Sequence, residues 1–273
     1  MKSIASRVNF EILLHAALIA SVAVILSACA GTYSTSSTTL NAPVISQERI
    51  AEVIASPDRS AADRGQDKQR KPDEMLTFIG VRSGMVALDL SAGGGYTTEL
   101  LSRAVGPTGR VYGQSAPRAS SSSQRLNSPQ ALAERAKNPQ LANIIPIVRK
   151  FEDPVPPEVA PGGLDLVTLI FNYHDLGHMG VDRSRMNSAV FAALKSGGLY
   201  VIADHSGRPG TGISEAATLH RIEEAFLRQE VESAGFEVVG QGNFWRNPSD
   251  LRDKNTPEKS QPKDGFVLKF VKP

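Results

Sequence analysis

Short apolar runs alternate with amphipathic segments through most of the chain. The apolar runs predict strands, and they lie at 85–90, 110–113, 143–149, 164–171, 199–203, 236–244 and 265–271. The segments between them carry apolar residues at helical spacing, which predicts helices at 48–55, 72–79, 131–137, 183–194 and 214–234, and another that ends at Gly106. The run at 164–171 is apolar almost throughout, as expected for a parallel strand buried on both faces. This alternation of strands and helices predicts an α/β fold.

The first of these strands leads directly into a glycine-rich turn and then into a helix. The turn reads Ser-Ala-Gly-Gly-Gly over 91–95. Such a turn lets a ligand approach the backbone closely, and the free amides of the helix N-terminus face it. Many α/β proteins have a glycine turn for packing reasons alone. The spacing here, Asp89-x-Ser91-x-Gly93-x-Gly95, does not fit the dinucleotide-binding pattern.

The spacing resembles the first motif of class I S-adenosylmethionine-dependent methyltransferases, in which an acid precedes three alternating glycines. Ser91 stands where that family has its first glycine, and the segment at 194–199 resembles the turn before its fifth strand. Further segments resemble a bacterial family of predicted methyltransferases that often carry signal peptides; they lie at 70–72, 94–98, 172–175, 204–205 and 220–222. The resemblance implies a Rossmann-like, doubly wound, seven-stranded and mostly parallel sheet with an antiparallel last strand over 47–273, and S-adenosylmethionine as cofactor.

The resemblance also implies a set of cofactor contacts. Gln114 follows the second strand, where an acid commonly binds the ribose hydroxyls. Glu152 or Asp153 is expected near the adenine, and Asn172 in the cofactor pocket. The expected cofactor-binding residues are Asp89, Ser91, Gly93, Gly95, Gln114, Glu152, Asp153 and Asn172. The charge-rich segment at 56–71 is predicted to be a solvated helix or loop, with the alternative that one of its residues closes the cofactor cleft.

Polar side chains follow the fourth and fifth predicted strands. His174, Asp175 and His205 are the catalytic candidates, because ligands bind at the carboxyl ends of strands in open α/β sheets and imidazole titrates near neutrality. Methyl transfer needs a base only if the acceptor must first lose a proton. The acceptor is expected to be a small molecule of unknown identity, and the oligomeric state is left open.

Two alternative functions remain open. The pattern His174-Asp175-x-x-His178 places two histidines four residues apart, and Asp204, His205 and His220 add potential ligands, which suggests a metal-dependent hydrolase. Leu176-Gly177 predicts a turn rather than a helix there, and the preferred interpretation includes no metal. The second alternative is a non-catalytic nucleoside-binding lipoprotein. Its support is that Ser91 and Gln114 depart from the methyltransferase pattern and that the cofactor is made in the cytoplasm.

The N-terminal segment predicts export. An apolar run at 12–26 has the length of a signal-peptide core, and Leu26-Ser27-Ala28-Cys29 resembles the bacterial lipobox. Residues 1–29 are therefore expected to be a lipoprotein signal peptide with Cys29 lipidated, and 30–46 a flexible linker. An uncleaved N-terminal anchor is the alternative. This predicts a membrane-anchored lipoprotein on the periplasmic side of the cell envelope. The net charge of +2 gives no reason to expect a nucleic-acid partner.

Overall fold

The computed structural model describes residues 42–117, 128–159, 161–258 and 263–273. Nine α-helices lie in this described part of the chain: α1 Gln47–Ala55, α2 Ala61–Arg70, α3 Pro72–Ile79, α4 Tyr96–Val105, α5 Ser128–Arg135, α6 Tyr173–His178, α7 Arg183–Ala193, α8 Ala216–Leu219 and α9 Glu224–Glu232. The strands are β1 Val86–Leu90, β2 Arg110–Ser115, β3 Ile144–Val148, β4 Leu164–Ile170, β5 Leu194–His205, β6 Glu237–Gly242 and β7 Gly265–Val271. A short 3-10 helix covers Pro139–Leu141.

The strands form one seven-stranded sheet in the order β3-β2-β1-β4-β5-β7-β6. Every neighbouring pair from β3 to β5 is parallel, and β7 runs antiparallel to both β5 and β6. The predicted α/β class, the seven-stranded sheet and its antiparallel last strand are confirmed. The strand order reverses direction between β1 and β4. Open α/β sheets bind ligands at such a switch point, outside the carboxyl ends of the strands.

Both faces of the sheet are buried, which explains the nearly continuous apolar runs. Ala87 packs with residues of α1, α3 and α4 on one face of the sheet. Its neighbours Leu88 and Leu90 point to the other face and pack with residues of α6, α7 and α9. A glycine ends two of the helices next to this core: Gly80, which has a φ of 73°, follows α3, and Gly106, which has a φ of 71°, follows α4. The predicted ends of both helices are correct.

Three local predictions were wrong. The helix predicted over 214–234 is broken into α8 and α9, because His220 adopts a left-handed conformation with a φ of 52°. The turn predicted at Leu176-Gly177 lies inside helix α6. Gly177 serves packing there, since a Cβ at this position would lie 2.6 Å from the Ile213 side chain. The second strand continues beyond Gly113 through Ser115, so Gln114 lies within the sheet.

The described residues contain no helix that is both long and apolar enough to cross a membrane. The predicted signal peptide with Cys29 and most of the predicted linker lie outside the described residues, as do residues 118–127.

Candidate functional site

The chain is strained where β1 and β4 end, at the switch point of the sheet. Ser91 follows β1 with a φ of 54°, and Phe171 follows β4 with a φ of 58°. A left-handed conformation costs a residue with a side chain about 1–2 kcal/mol. The Ser91 hydroxyl donates a short hydrogen bond to Asn172 Oδ1, which ties the two strand ends together. Two strained residues on adjacent strand ends are a feature of ligand sites.

Two cavities open at these strand ends, one on each side of Ser91 and Asn172. The central cavity, of about 340 Å³, lies between the glycine turn and α2. The β2-side cavity, of about 300 Å³, is bounded by residues that follow β2 and β3, including Ala116 and Phe151. Ser91, Gly93 and Asn172 line both cavities, which therefore form one cleft across the glycine turn. Each cavity has the size of an ordinary small-ligand site.

A third cavity, the β5-side cavity, has about 150 Å³ and shares Arg70 and Phe171 with the central cavity. His205, Trp245 and Lys263 form much of its remaining wall. A larger cavity of about 600 Å³ lies around the loop before β2, at the amino ends of the strands. It is remote from the switch point and from the polar residues that follow β4 and β5.

Helix α2 lies over the glycine turn, so its charges are not simply solvated. Arg59 forms a bidentate ion pair with Asp67 at 2.8 Å, and the Tyr96 hydroxyl donates to the same carboxylate. Arg135 of α5 pairs with Asp63 at 2.6 Å and donates to the backbone carbonyl of Gly94. Arg59 and Asp63 are buried. The prediction that the segment at 56–71 is solvated was wrong for these residues. The alternative, that the segment covers the cleft, agrees with the position of α2.

Arg70, at the end of α2, is the cation that faces the cleft. Its guanidinium lies 5.6 Å from the ring centre of Tyr96 and 5.3 Å from that of Phe171. Among the residues that the structure describes, it has no hydrogen-bond acceptor or ion-pair partner. Burial lowers its pKa. A cation held between two aromatic rings and lacking a counter-ion is suited to bind an anionic group.

Asp89 lines the central cavity and is itself buried. Its two oxygens accept hydrogen bonds from Thr98 at 2.6 Å and Thr168 at 2.8 Å. Burial nevertheless raises the pKa of Asp89 to about 6, because the two hydroxyls and the more distant Arg70 offset only part of the lost hydration.

Gln114 was predicted to contact the cofactor, but its side chain points into the fold and not into the cleft. Its Oε1 accepts from the backbone N–H of Ser91 at 2.9 Å, and its Nε2 donates to the carbonyl of Arg149 at 2.6 Å. The side chain is fully buried and holds the glycine turn in place. The next residue, Ser115, lines the β2-side cavity, and its buried hydroxyl has no partner in the described part of the chain.

The other predicted cofactor contacts divide into two groups. Asp89, Ser91, Gly93 and Asn172 all line the central cavity. Gly95 is instead the N-cap residue of α4 and packs on α5, where an added Cβ would lie 2.7 Å from Leu132.

The two acids after β3 also lie away from the cleft. Glu152 accepts from the backbone N–H of Asp182, and Asp153 is exposed and pairs with Arg149. Neither acid lines a cavity at the strand ends, whereas the preceding residue, Phe151, does. In the sequence, Phe151 therefore indicates the cavity wall better than the two acids that follow it.

His174 is held between two carboxylates. Its Nδ1 lies 2.6 Å from Asp204 Oδ1, and its Nε2 lies 3.1 Å from Asp175 Oδ1. Burial by itself lowers the pKa of His174, but Asp204 and Asp175 outweigh burial and raise that pKa to about 10. A ring that is already protonated cannot accept a proton at neutral pH. The two carboxylates therefore do not favour His174 as a catalytic base, and Asp175, its partner, faces the β2-side cavity.

His205 lies in a different environment. Its ring stacks on Phe171 with the ring centres 4.8 Å apart and lines the β5-side cavity. Burial lowers the pKa of His205 to about 4, so the ring is neutral at pH 7. Of the three predicted catalytic residues, His205 is the one whose ring is neutral at pH 7 and also lines a cavity.

The fold of this chain is found among solved structures. It is similar to an S-adenosylmethionine-dependent methyltransferase from Aquifex aeolicus, with a TM-score of 0.55 and 16% identity over 84% of this chain and 100% of the other. It is also similar to an arsenic(III) methyltransferase from Chlamydomonas reinhardtii, with a TM-score of 0.53 and 15% identity over 82% of this chain and 73% of the other.

A third similar structure is a geranyl diphosphate C-methyltransferase from Streptomyces coelicolor, solved with Mg²⁺, geranyl diphosphate and S-adenosylhomocysteine. The TM-score is 0.55 and the identity 14%, over 85% of this chain and 90% of the other. No protein-family model matches the chain, and the comparison with curated proteins gives no significant match. The chain thus has the fold of class I S-adenosylmethionine-dependent methyltransferases.

Proposed function

We propose that the protein is an S-adenosylmethionine-dependent methyltransferase whose cofactor lies across the β2-side and central cavities. The observation that carries the proposal is the continuous cleft at the switch point, which passes over Gly93 between an end that contains Phe151 and an end that contains Arg70. The Phe151 end is called the apolar end below, and the Arg70 end the cationic end. At the apolar end, Phe151 offers a flat wall and Ser115 an unpartnered hydroxyl, which suits a nucleoside. At the cationic end, Arg70 suits the carboxylate of an amino acid.

The bound cofactor supplies a methyl group on a sulfonium, so the protein mainly positions the acceptor and excludes water. The β5-side cavity is the proposed acceptor site, because it adjoins the central cavity at Arg70 and Phe171, which line both. Trp245 packs edge-on against Phe171 with ring centres 4.8 Å apart and closes this side of the site. The neutral His205 ring can accept a hydrogen bond from an acceptor hydroxyl and orient it. Arg70 and Lys263 together favour an acceptor that becomes anionic.

The Gly93→Arg substitution tests where the cofactor lies. No atom outside the immediate neighbours of Gly93 lies closer than 3.9 Å to a Cβ added there, so the arginine side chain extends into the cleft rather than into the core. We expect the full-length variant, purified in detergent, to lose binding of S-adenosylhomocysteine in calorimetry. Gly210→Arg is the matched control, since Gly210 also has a positive φ and open space around it. Normal binding by a folded Gly93→Arg protein would refute the placement.

We also propose that the protein is a lipoprotein of the bacterial cell envelope, anchored through Cys29 on the periplasmic side of the membrane. The support is the lipobox-like segment at 26–29 directly after an apolar run. This extends the resemblance to bacterial predicted methyltransferases that carry signal peptides. Metabolic labelling with radioactive palmitate is expected to mark the wild type and not Cys29→Ala. Label that persists in the variant rules out the lipoprotein proposal.

A further inference from the structure

Four of the five histidines of the chain lie close together, and two of them, His178 and His220, line the β2-side cavity. Three of them converge on one atom, Asp175 Oδ1. His220 Nδ1 lies 3.0 Å from this oxygen, His174 Nε2 lies 3.1 Å from it, and His178 Nδ1 lies 3.9 Å from it. One ligand atom each from His174, Asp175 and His220 lies within 4.8 Å of the other two.

The surroundings of His174 orient it towards this oxygen. Asp204 is fully buried and accepts hydrogen bonds from the backbone N–H groups of His174 and His205, at 2.8 and 2.7 Å. It also lies 2.6 Å from His174 Nδ1 and therefore holds the proton on that nitrogen. The Nε2 of His174 then faces Asp175 Oδ1; in the imidazolium form it carries a proton, and a metal ion would take the place of that proton. A carboxylate behind a histidine is the usual support of a metal ligand.

The carboxylate of Asp175 is oriented in the same way. Its Oδ2 accepts a hydrogen bond from Asn172 Nδ2 at 2.6 Å, which leaves Oδ1 directed at the three histidines. Within the described residues, neither Asp175 nor Asp204 forms an ion pair with a lysine or an arginine. A dication held by the histidines would balance the negative charge of the two carboxylates more fully than a single imidazolium does.

The backbone is strained at His220, the third of the converging residues. His220 is the C-cap residue of α8 and has a φ of 52°, a conformation that costs a residue with a side chain about 1–2 kcal/mol. Thr256 holds this residue by donating from its backbone N–H to the carbonyl of Leu219 and from its hydroxyl to the carbonyl of His220. The break between α8 and α9 thus turns the His220 side chain towards α6, which carries the other two ligands.

We propose that His174, Asp175 and His220 bind a divalent transition metal ion, with Zn²⁺ as the ion that best fits two imidazoles and a carboxylate. Zinc bonds of about 2.0–2.2 Å in a tetrahedron place the ligand atoms about 3.3–3.6 Å apart, so the ligand atoms, which lie 3.0 and 3.1 Å apart here, need to separate only slightly to admit the ion. His178 is within reach as a fourth ligand. Asp175, His178 and His220 also line the β2-side cavity, so a position on the ion faces the cleft.

The experiment uses full-length protein in detergent that has been stripped with a chelator and then titrated with Zn²⁺ or Co²⁺. The wild type is expected to bind one ion per chain, and Co²⁺ to give the visible absorption of a four-coordinate site. His220→Ala, which removes a partly exposed side chain, is expected to abolish both signals without unfolding the protein. His205→Gln is the matched control, because it removes a neighbouring histidine and leaves the three ligands intact. Asp204→Asn is expected to weaken Zn²⁺ binding about 10- to 100-fold.

Two results would overturn the metal site. A folded wild type that binds no ion means that a proton alone occupies the cluster. Equal binding by wild type and His220→Ala means that Zn²⁺ binds elsewhere on the surface. Thermal unfolding of each variant confirms that it is folded. Binding of S-adenosylhomocysteine, measured separately, keeps failure of the metal site distinct from failure of the proposed methyltransferase function.

Discussion

Replacing Asp89 by asparagine is predicted to stabilise the protein at neutral and alkaline pH, although the residue lines the proposed cofactor site. Asp89 is 2% exposed, and burial raises its pKa from 3.8 to about 6. This rise corresponds to about 3 kcal/mol of differential stability between the protonated and ionised forms. Asparagine has the same shape and is never ionised, so it avoids the cost of a buried charge.

The sign of the pH dependence follows from the raised pKa. The folded state binds the proton more tightly than the unfolded state, so the stability that Asp89 contributes is fully present below pH 3.8. It is lost as the pH rises through about 6. Relative to Asp89→Asn, the wild type should therefore lose about 2 kcal/mol of its free energy of unfolding between pH 4 and pH 8. Thr98 and Thr168 can hydrogen-bond to an amide as well as to a carboxylate.

Urea unfolding of both proteins at several pH values measures this difference. Asp253→Asn, which removes an exposed carboxylate, is the control and should show no comparable change with pH. The reasoning fails if the difference in unfolding free energy between wild type and Asp89→Asn is the same at pH 4 and pH 8, or if the variant is the less stable protein at pH 8.

Three further substitutions test the site and its support. Arg70→Met should weaken S-adenosylhomocysteine binding about ten- to hundredfold, since it removes charge-assisted hydrogen bonds, whereas Lys68→Met on the exposed side of the same helix should not; equal affinities in calorimetry contradict this. The Ser91→Gly protein should be more stable than the Ser91→Ala protein by about 1 kcal/mol, because glycine adopts the φ of 54° without strain. Equal midpoints of urea unfolding for the two variants would contradict this. Arg221→Met should cost about 3–5 kcal/mol, because it leaves the buried Asp250 carboxylate without its cationic partner, whereas the exposed Arg185→Met should unfold like wild type; a small loss contradicts this.

The sheet could be predicted from the sequence because its central strands are buried on both faces. The strand at 164–171 was predicted to within one residue, since every position in β4 except the last is buried. The break at His220 could not be predicted, because apolar residues continue at helical spacing on both sides of it. Spacing reports which side of a helix is buried and does not detect a single left-handed residue.

The candidate site could be placed from the sequence, but the roles within it could not. His174 and His205 looked equivalent, since both follow strands of the sheet. Their pKa values differ because Asp204, thirty residues beyond His174, contacts only the His174 ring, while His205 lies against Phe171. The charges of α2 looked solvated because Arg135, which pairs with Asp63, is 72 residues away in the sequence.

The measurement that tests the account most directly is calorimetric titration of the full-length wild-type protein with S-adenosylhomocysteine. The account predicts saturable binding at one site per chain with micromolar affinity, and competition by S-adenosylmethionine. No heat of binding from protein that shows a cooperative unfolding transition would contradict the proposed cofactor site and, with it, the proposed methyltransferase function.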